Sequence, residues 1–159
     1  MDCLQLVGYD KIFFDRSKIW LLDEELNHLI HAGTLPSDED RLAWFNSLSS
    51  RKDYLIWGVA YNGEPIGVSG LKRIADGKAE YWGYIGEKAY WGKGLGKDLM
   101  KEVLKKAREL DLNYVWLRVR KYNPRAINLY KKVGFTIEQD EPETYLMSLS
   151  LPDNNEITD

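Results

Sequence analysis

Cysteine is nearly absent from this chain: Cys3 is the one thiol in 159 residues. A single thiol cannot close an internal disulfide, which points to a reducing compartment. With no His partner in view, Cys3 reads as a buried, inert thiol in a first strand rather than a nucleophile. Histidine is scarce as well. His28 and His31 stand three apart with no third ligand nearby in sequence. A solvated helix face is preferred over a metal site there, and no metal is expected. No apolar run approaches the length of a membrane span, and no basic segment followed by an apolar run opens the chain. The expected location is the cytoplasm, with no membrane partner. Excess positive charge is also missing: a net charge of −3 gives no footprint for general nucleic-acid binding.

What is present suits one soluble domain. A hydrophobic fraction of 44% against 30% charged residues supplies a core that needs no disulfide or metal staple. The domain is expected over residues 1–151, with a polar tail, "PDNNEITD", over 152–159. Residues 4–9 read as a strand. Residues 17–33 read as one helix with Ser17 as cap, Trp20, Leu22, Leu26, Leu29 and Ile30 as its apolar stripe, and Gly33 as its stop. Ser37 followed by Asp40 opens a second short helix. Asn62-Gly63 is a hairpin signal between two β-runs, and a second turn at Asp76-Gly77 leads into a third strand over 79–86. A helical pattern over 95–110, a strand over 113–119, a helix capped by Asn123 with Pro124 at its first position and Gly134 as its stop, and two closing strands complete the chain. The order β-α-α-β-β-β-α-β-α-β-β implies an α/β fold, a mixed sheet with helices packed on it.

The stretch "YWGKGLGKDL" from Tyr90 sits between a strand and a helix. Glycine within a helix costs roughly 1 kcal/mol against alanine, so Gly92, Gly94 and Gly96 need a reason. The first amides of a helix lack internal partners and carry the positive end of its dipole. Glycines let a bulky anion reach those amides, and Lys93 and Lys97 add charge. The spacing is neither the Walker nor the dinucleotide pattern. A tight strand-to-helix turn is the competing reading of the loop alone.

One helix and one strand further on, Asn123, Ala126, Ile127, Tyr130, Gly134 and Phe135 form N-x-x-A-I-x-x-Y-x-x-x-G-F. Together with the glycine loop and the element order, this resembles the Gcn5-related N-acetyltransferase (GNAT) superfamily over nearly the whole chain. The resemblance implies a single-domain GNAT fold, a mostly antiparallel sheet with splayed central strands flanked by helices, and acetyl-CoA as co-substrate. In that family the loop reads Arg/Gln-x-x-Gly-x-Gly/Ala and its amides hold the CoA pyrophosphate. Gly94 and Gly96 match the two small positions, while Trp91 stands where Arg or Gln is usual. The implied cofactor residues are Trp91, Gly92, Lys93, Gly94, Leu95, Gly96 and Lys97. Tyr84, Ile85 and Gly86 would offer backbone groups to the pantetheine arm, since parting strands leave unpaired N–H and C=O groups. Asn123 either bonds the cofactor or only caps its helix.

Acetyl transfer to an amine needs a neutral nucleophile, a stabilised oxyanion and a thiolate able to leave. Tyr130, at the family's acid position, can donate to the departing sulfur, since a phenol at ~10 is protonated where a thiol at ~8.5 begins to ionise; a packed core tyrosine is the rival reading. Glu80 shares a strand face with Trp82 and Tyr84 by the period-2 rule. It is the candidate base, with acceptor binding, or ordered water in its place, as alternatives. The favoured acceptor is a small-molecule primary amine, a nucleotide-linked amino sugar, because "W-L-x-D-x-E" and "S-x-E-x-x-x-W-F-x-x-L" resemble that branch. Trp20 and Trp44 could stack on such a ligand, and Arg16, Lys18 or Arg73 could meet its phosphates. The alternatives are a ribosomal-protein or peptide N-terminal acetyltransferase, a polyamine acetyltransferase with Asp23, Glu24 and Glu25 supplying acidity, and a CoA-binding module without turnover. The protein is expected as a monomer or homodimer.

Overall fold

Asp10, not Ser17, starts the first helix. In the computed structural model, which describes residues 3–152, the Asp10 carboxylate accepts from the amides of Ile12 and Phe13 and opens α1 (Lys11–Leu22). Ser17 is buried within that helix, its hydroxyl donating to the Phe14 carbonyl. The single helix expected over 17–33 is broken at Asp23. Its amide closes α1 on the Trp20 carbonyl, and its carboxylate caps α2 (Glu24–Ile30) through the Leu26 amide at 3.0 Å. A short acidic side chain that can bond nearby amides competes with helix continuation, which is how one apolar-periodic run becomes two helices. The expected stripe breaks with it: Trp20 and Leu26 are buried, whereas Leu22 is 62% exposed. Ser37 caps α3 (Asp38–Ser47) through the Asp40 amide, as its sequence predicts.

The strands are β1 (Leu4–Gly8), β2 (Leu55–Tyr61), β3 (Glu64–Ala75), β4 (Lys78–Ile85), β5 (Tyr114–Arg120), β6 (Thr136–Asp140) and β7 (Thr144–Ser150). Cys3, expected buried within the first strand, is exposed and precedes it, at the open end of the chain's first edge strand. They form one sheet in the order β1-β2-β3-β4-β5-β7-β6. Both hairpin turns place positive φ at two successive residues, Asn62-Gly63 and Asp76-Gly77, the geometry that matches strand twist. Every pairing is antiparallel except β4 with β5. That parallel pair is joined by the crossover helix α4 (Leu95–Glu109), and α5 (Pro124–Val133) follows β5.

Helices cover both faces. α4 presents Leu95, Leu99, Met100, Val103, Leu104 and Ala107 to a core shared with Val59, Ile66, Leu71, Val115, Leu117 and Met147. On the other face α1 and α2 bury Phe13, Trp20 and Leu26 against Val68, Trp82 and Tyr84. The seven-stranded, mostly antiparallel sheet with helices on both sides is the architecture expected from the sequence. The expected tail over 152–159 lies, from residue 153 on, outside the described residues.

Candidate functional site

The site begins where two strands part. β4 and β5 pair only from Lys78 opposite Tyr114 to Glu80 opposite Trp116; beyond that, β4 runs on to Ile85 and β5 to Arg120 without pairing. The Gly86 amide donates to the Ile66 carbonyl at 2.7 Å. With Gly67 opposite Ile85, that bond makes Gly67 and Ile85 a non-hydrogen-bonded pair. Tyr84 then exchanges bonds with Val68, and Gly83 and Ile85 turn their backbone groups away from β3, toward the gap. Of the three residues read from the sequence, Ile85 alone faces the gap through its backbone. Gly86 spends its amide on β3, and Gly83, which sequence reasoning missed, takes the alternate position. The alternation itself was legible, since groups facing one side recur at every second residue, but which set faces the gap depends on the register with β3.

The glycine loop closes one end of this gap. Trp91 donates its indole N–H to the Ile85 carbonyl at 2.7 Å, so the residue in place of the family's Arg or Gln ties the loop to the end of β4. Gly86 makes room for the Trp20 ring, which would lie 2.3 Å from a Cβ there. Trp20 in turn donates to Glu87 at 2.8 Å, and Lys88 pairs with Asp23 and Glu25. Gly92 and Gly94 have φ of +76° and +78°, and a Cβ on either would meet nothing within 4 Å. Gly94 caps α4 without a side chain, leaving the first amides of a 15-residue helix facing open space with exposed Lys93 and Lys97 alongside. Leu95 contributes its amide there while its side chain is buried. Gly96 is different: its missing side chain points at Leu129, whose Cδ2 would lie 3.1 Å from the Cβ, so its smallness lets α4 approach α5.

Tyr130, on α5, packs edge-on to Tyr81 at 6.2 Å between ring centres and against Phe135. Burial pushes its phenol up to about 12. Among the described residues its hydroxyl has no hydrogen-bond partner. Asn123 caps α5 through the Ala126 amide at 3.3 Å and reaches the Leu29 carbonyl on α2 at 3.4 Å, so both ends of its amide are engaged by the fold. Glu80 is buried on the face it shares with Trp82 and Tyr84, as expected, and forms an ion pair with Arg73.

On that same face lies a cleft of about 540 Å³, walled by Tyr9, Trp44, Ile56, Trp82 and Tyr84 with Arg41 among them. Of the rings expected there, Trp44 lines the cleft, whereas Trp20 is core. The cations expected to meet phosphates are committed elsewhere: Arg16 to Glu64, Lys18 to Asp38 and Arg73 to Glu80. Two of the three acids proposed for a polyamine fare the same way, since Asp23 and Glu25 hold Lys88, while Glu24 lines a separate cavity with His28 and His31. Its cation and two hydrogen bonds hold the Asp23 carboxyl below its ordinary value, the Lys88 bond foremost. His28 stacks on Tyr122, and among the described residues no group of three His, Cys, Asp or Glu side chains could hold a metal. No helix among them is long and apolar enough to cross a membrane.

Comparison with known proteins bears on the family and the fold. Residues 18–135 match the acetyltransferase (GNAT) family. The L-methionine sulfoximine/L-methionine sulfone acetyltransferase of Salmonella typhimurium is 24% identical over 145 residues, 82% of each chain. Spermidine N-acetyltransferase from Vibrio cholerae, solved in complex with CoA and spermine, has the same fold. Its TM-score is 0.86 at 19% identity over 92% of this chain and 95% of that one. The N-acetyltransferase PseH of Campylobacter jejuni, solved with acetyl coenzyme A, gives 0.73 at 23% identity over 96% and 100%.

Proposed function

The chain belongs to the acetyltransferase (GNAT) family, acetyl-CoA-dependent N-acetyltransferases, and from that premise we propose that it acetylates the primary amine of a small molecule held in the aromatic cleft. The observation that carries this reading is the meeting of two features at β4. The backbone groups of Gly83 and Ile85 face the gap, while the neighbouring side chains of Trp82 and Tyr84 wall the cleft.

Acetyl-CoA supplies the activated acyl group. Gly83 and Ile85 offer backbone partners to its amide-containing arm, as an edge strand does to a peptide. The amides of Leu95, Gly96 and Lys97 and the cations of Lys93 and Lys97 face its pyrophosphate. In the transfer, the amine nitrogen bonds the acetyl carbon, the carbon–sulfur bond breaks, and one proton passes in net from nitrogen to sulfur. Tyr130, held near 12, stays protonated throughout and stabilises the sulfur by donating a hydrogen bond. Its acidity is too far below a thiol's ~8.5 for it to surrender the proton to a free thiolate. Glu80, on the β4 face shared with Trp82 and Tyr84 and held in an ion pair with Arg73, is the proposed acceptor of the amine's proton, directly or through water.

The cleft favours a ring-bearing acceptor. Trp44, Trp82 and Tyr84 offer faces for stacking, which suits an amino sugar carried on a nucleotide. A polyamine calls for carboxylates along its length, and among the described residues Asp40 is the one acid lining the cleft. The test is acetyl-CoA turnover against amino sugars, polyamines and peptides, read as thiol release with mass spectrometry of the acceptor. Acetylation of a ring-bearing small amine above the other classes is expected; a peptide or polyamine preferred by tenfold or more overturns the assignment.

A further inference from the structure

Arg41 lines the cleft and forms no ion pair with a carboxylate among the described residues. Its guanidinium lies over the Phe14 ring at 4.3 Å, and Nη2 donates to the Phe14 carbonyl at 2.9 Å and to the Ser17 hydroxyl at 3.3 Å. Two of its five N–H groups are thereby fixed, and three remain. Among the described residues no acid lies within ion-pair distance of it. Asp38, one turn back on α3, belongs to Lys18 at 2.7 Å, and Asp40 stands beside it on the cleft wall. A half-buried guanidinium held by backbone and ring contacts in an apolar wall is preorganised to take an anion. Trp82 adds a second, independent sign. Its ring walls the cleft, and its buried indole N–H, over Gly70, has no partner among the described residues. Beside the Asp40 carboxylate, the wall therefore carries the free guanidinium N–H groups of Arg41 and one indole N–H that has no partner among the described residues.

We propose that Arg41 selects the acceptor: the enzyme takes primary amines that also carry an anionic group, a carboxylate or a phosphate, on an apolar or ring-bearing body. The amine enters toward Tyr84 and the gap, and the anion docks on the Arg41 fork. This deepens the acetyl-transfer reading above and rests on it for the chemistry, though not for the binding. A polyamine places a second cation against Arg41 and is rejected; an amino acid, an aminoalkyl phosphate or a nucleotide-linked amino sugar satisfies it.

The experiment has a binding arm and a turnover arm. In the first, 3-phenylpropanoate, phenyl phosphate and the neutral 3-phenylpropanamide are titrated calorimetrically into the CoA-loaded protein. The anions should bind at least tenfold tighter than the amide, as charge-assisted bonds to a guanidinium require. In Arg41→Gln that preference should vanish with the amide's affinity unchanged, and Arg41→Lys should keep part of it. Equal affinity for acid and amide in the unmodified protein overturns the proposal without any variant; so does a preference that survives Arg41→Gln. In the turnover arm, phenylalanine is compared with phenylalaninamide, 2-aminoethyl phosphate with 2-aminoethanol, and all four with spermidine. The two pairs separate carboxylate from phosphate as the anion read. Neutral amines or spermidine turned over as well as the acids would refute anion selection and leave acetyl transfer standing. Anions bound through Arg41 with no amine acetylated would refute acetyl transfer and leave the anion site standing.

Discussion

Gly94 and Gly96 occupy the two small positions of the loop signature, yet the structure separates their roles, and an alanine at each should tell them apart. At Gly94 the backbone is left-handed, φ +78°, with open space where a side chain would be. An L-residue there costs about 1–2 kcal/mol in strain, or roughly 2–8 °C in Tm for a domain of this size. No atom is struck in the free protein. The methyl group would instead stand over the first amides of α4, where a pyrophosphate must lie. Losing one charge-assisted bond to those amides, about 1.5–3 kcal/mol, weakens CoA at least tenfold. At Gly96 the methyl would meet the tip of Leu129 at 3.1 Å, a flexible group that needs to give by a few tenths of an ångström. Alanine's helix preference over glycine, roughly 1 kcal/mol, offsets that. Gly96→Ala should melt within a few degrees of the unmodified protein and bind CoA within about threefold of it, while Gly94→Ala should melt roughly 2–8 °C lower and bind CoA at least tenfold more weakly. Calorimetric titration of CoA beside thermal melts measures both. A folded Gly94→Ala with full affinity, or the loss appearing at Gly96 instead, refutes the reasoning.

Tyr130→Phe should keep the fold and CoA affinity while lowering kcat roughly ten- to a hundredfold, the loss of one charge-assisted hydrogen bond of about 1.5–3 kcal/mol to the departing sulfur; undiminished kcat under rate-limiting chemistry removes Tyr130 from the mechanism. Glu80→Gln should abolish the acidic limb of the pH–rate profile, whereas a rise in KM with that limb intact makes Glu80 an acceptor contact only. Burial holds Tyr54 and Tyr130 at about 12 and pushes Tyr9, Tyr81 and Tyr84 upward too. Below the unfolded value of ~10 both states keep these protons. Above it the unfolded chain ionises first, so stability falls as pH rises from about 10 to 12. Urea unfolding across that range checks this, and a midpoint unchanged at pH 11 contradicts it.

The hairpins and the two later helices were legible because each carries its own local signal: Asn62-Gly63 and Asp76-Gly77 for the turns, Asn123-Pro124 and Gly134 for the ends of α5. The break at Asp23 was not, since Trp20, Leu26 and Ile30 keep a helical period across it and only the capping bond reveals the interruption. The glycine loop and Tyr130 were legible as a pair of motifs. Which face Gly96 presents, and which alternate residues of β4 turn toward the gap, depend on register and on α5, and no spacing within the loop encodes them. Arg41 was passed over for the same reason. On a helix wheel it is one more charged residue of α3, and only the packing of α3 over Phe14 and Ser17 turns it into the cleft.

The central claim is that the acetyl donor lies between β4 and β5 with its arm on Gly83 and Ile85 and its pyrophosphate on the start of α4. Residue-resolved amide hydrogen exchange, with and without CoA, tests it most directly. CoA should slow exchange at Gly83 or Ile85 and at Leu95, Gly96 and Lys97, while the Tyr84 amide, bonded to β3 already, is slow in both states. Protection of Tyr84 alone, or no change at any of the gap and helix-start amides under saturating CoA, would contradict the account.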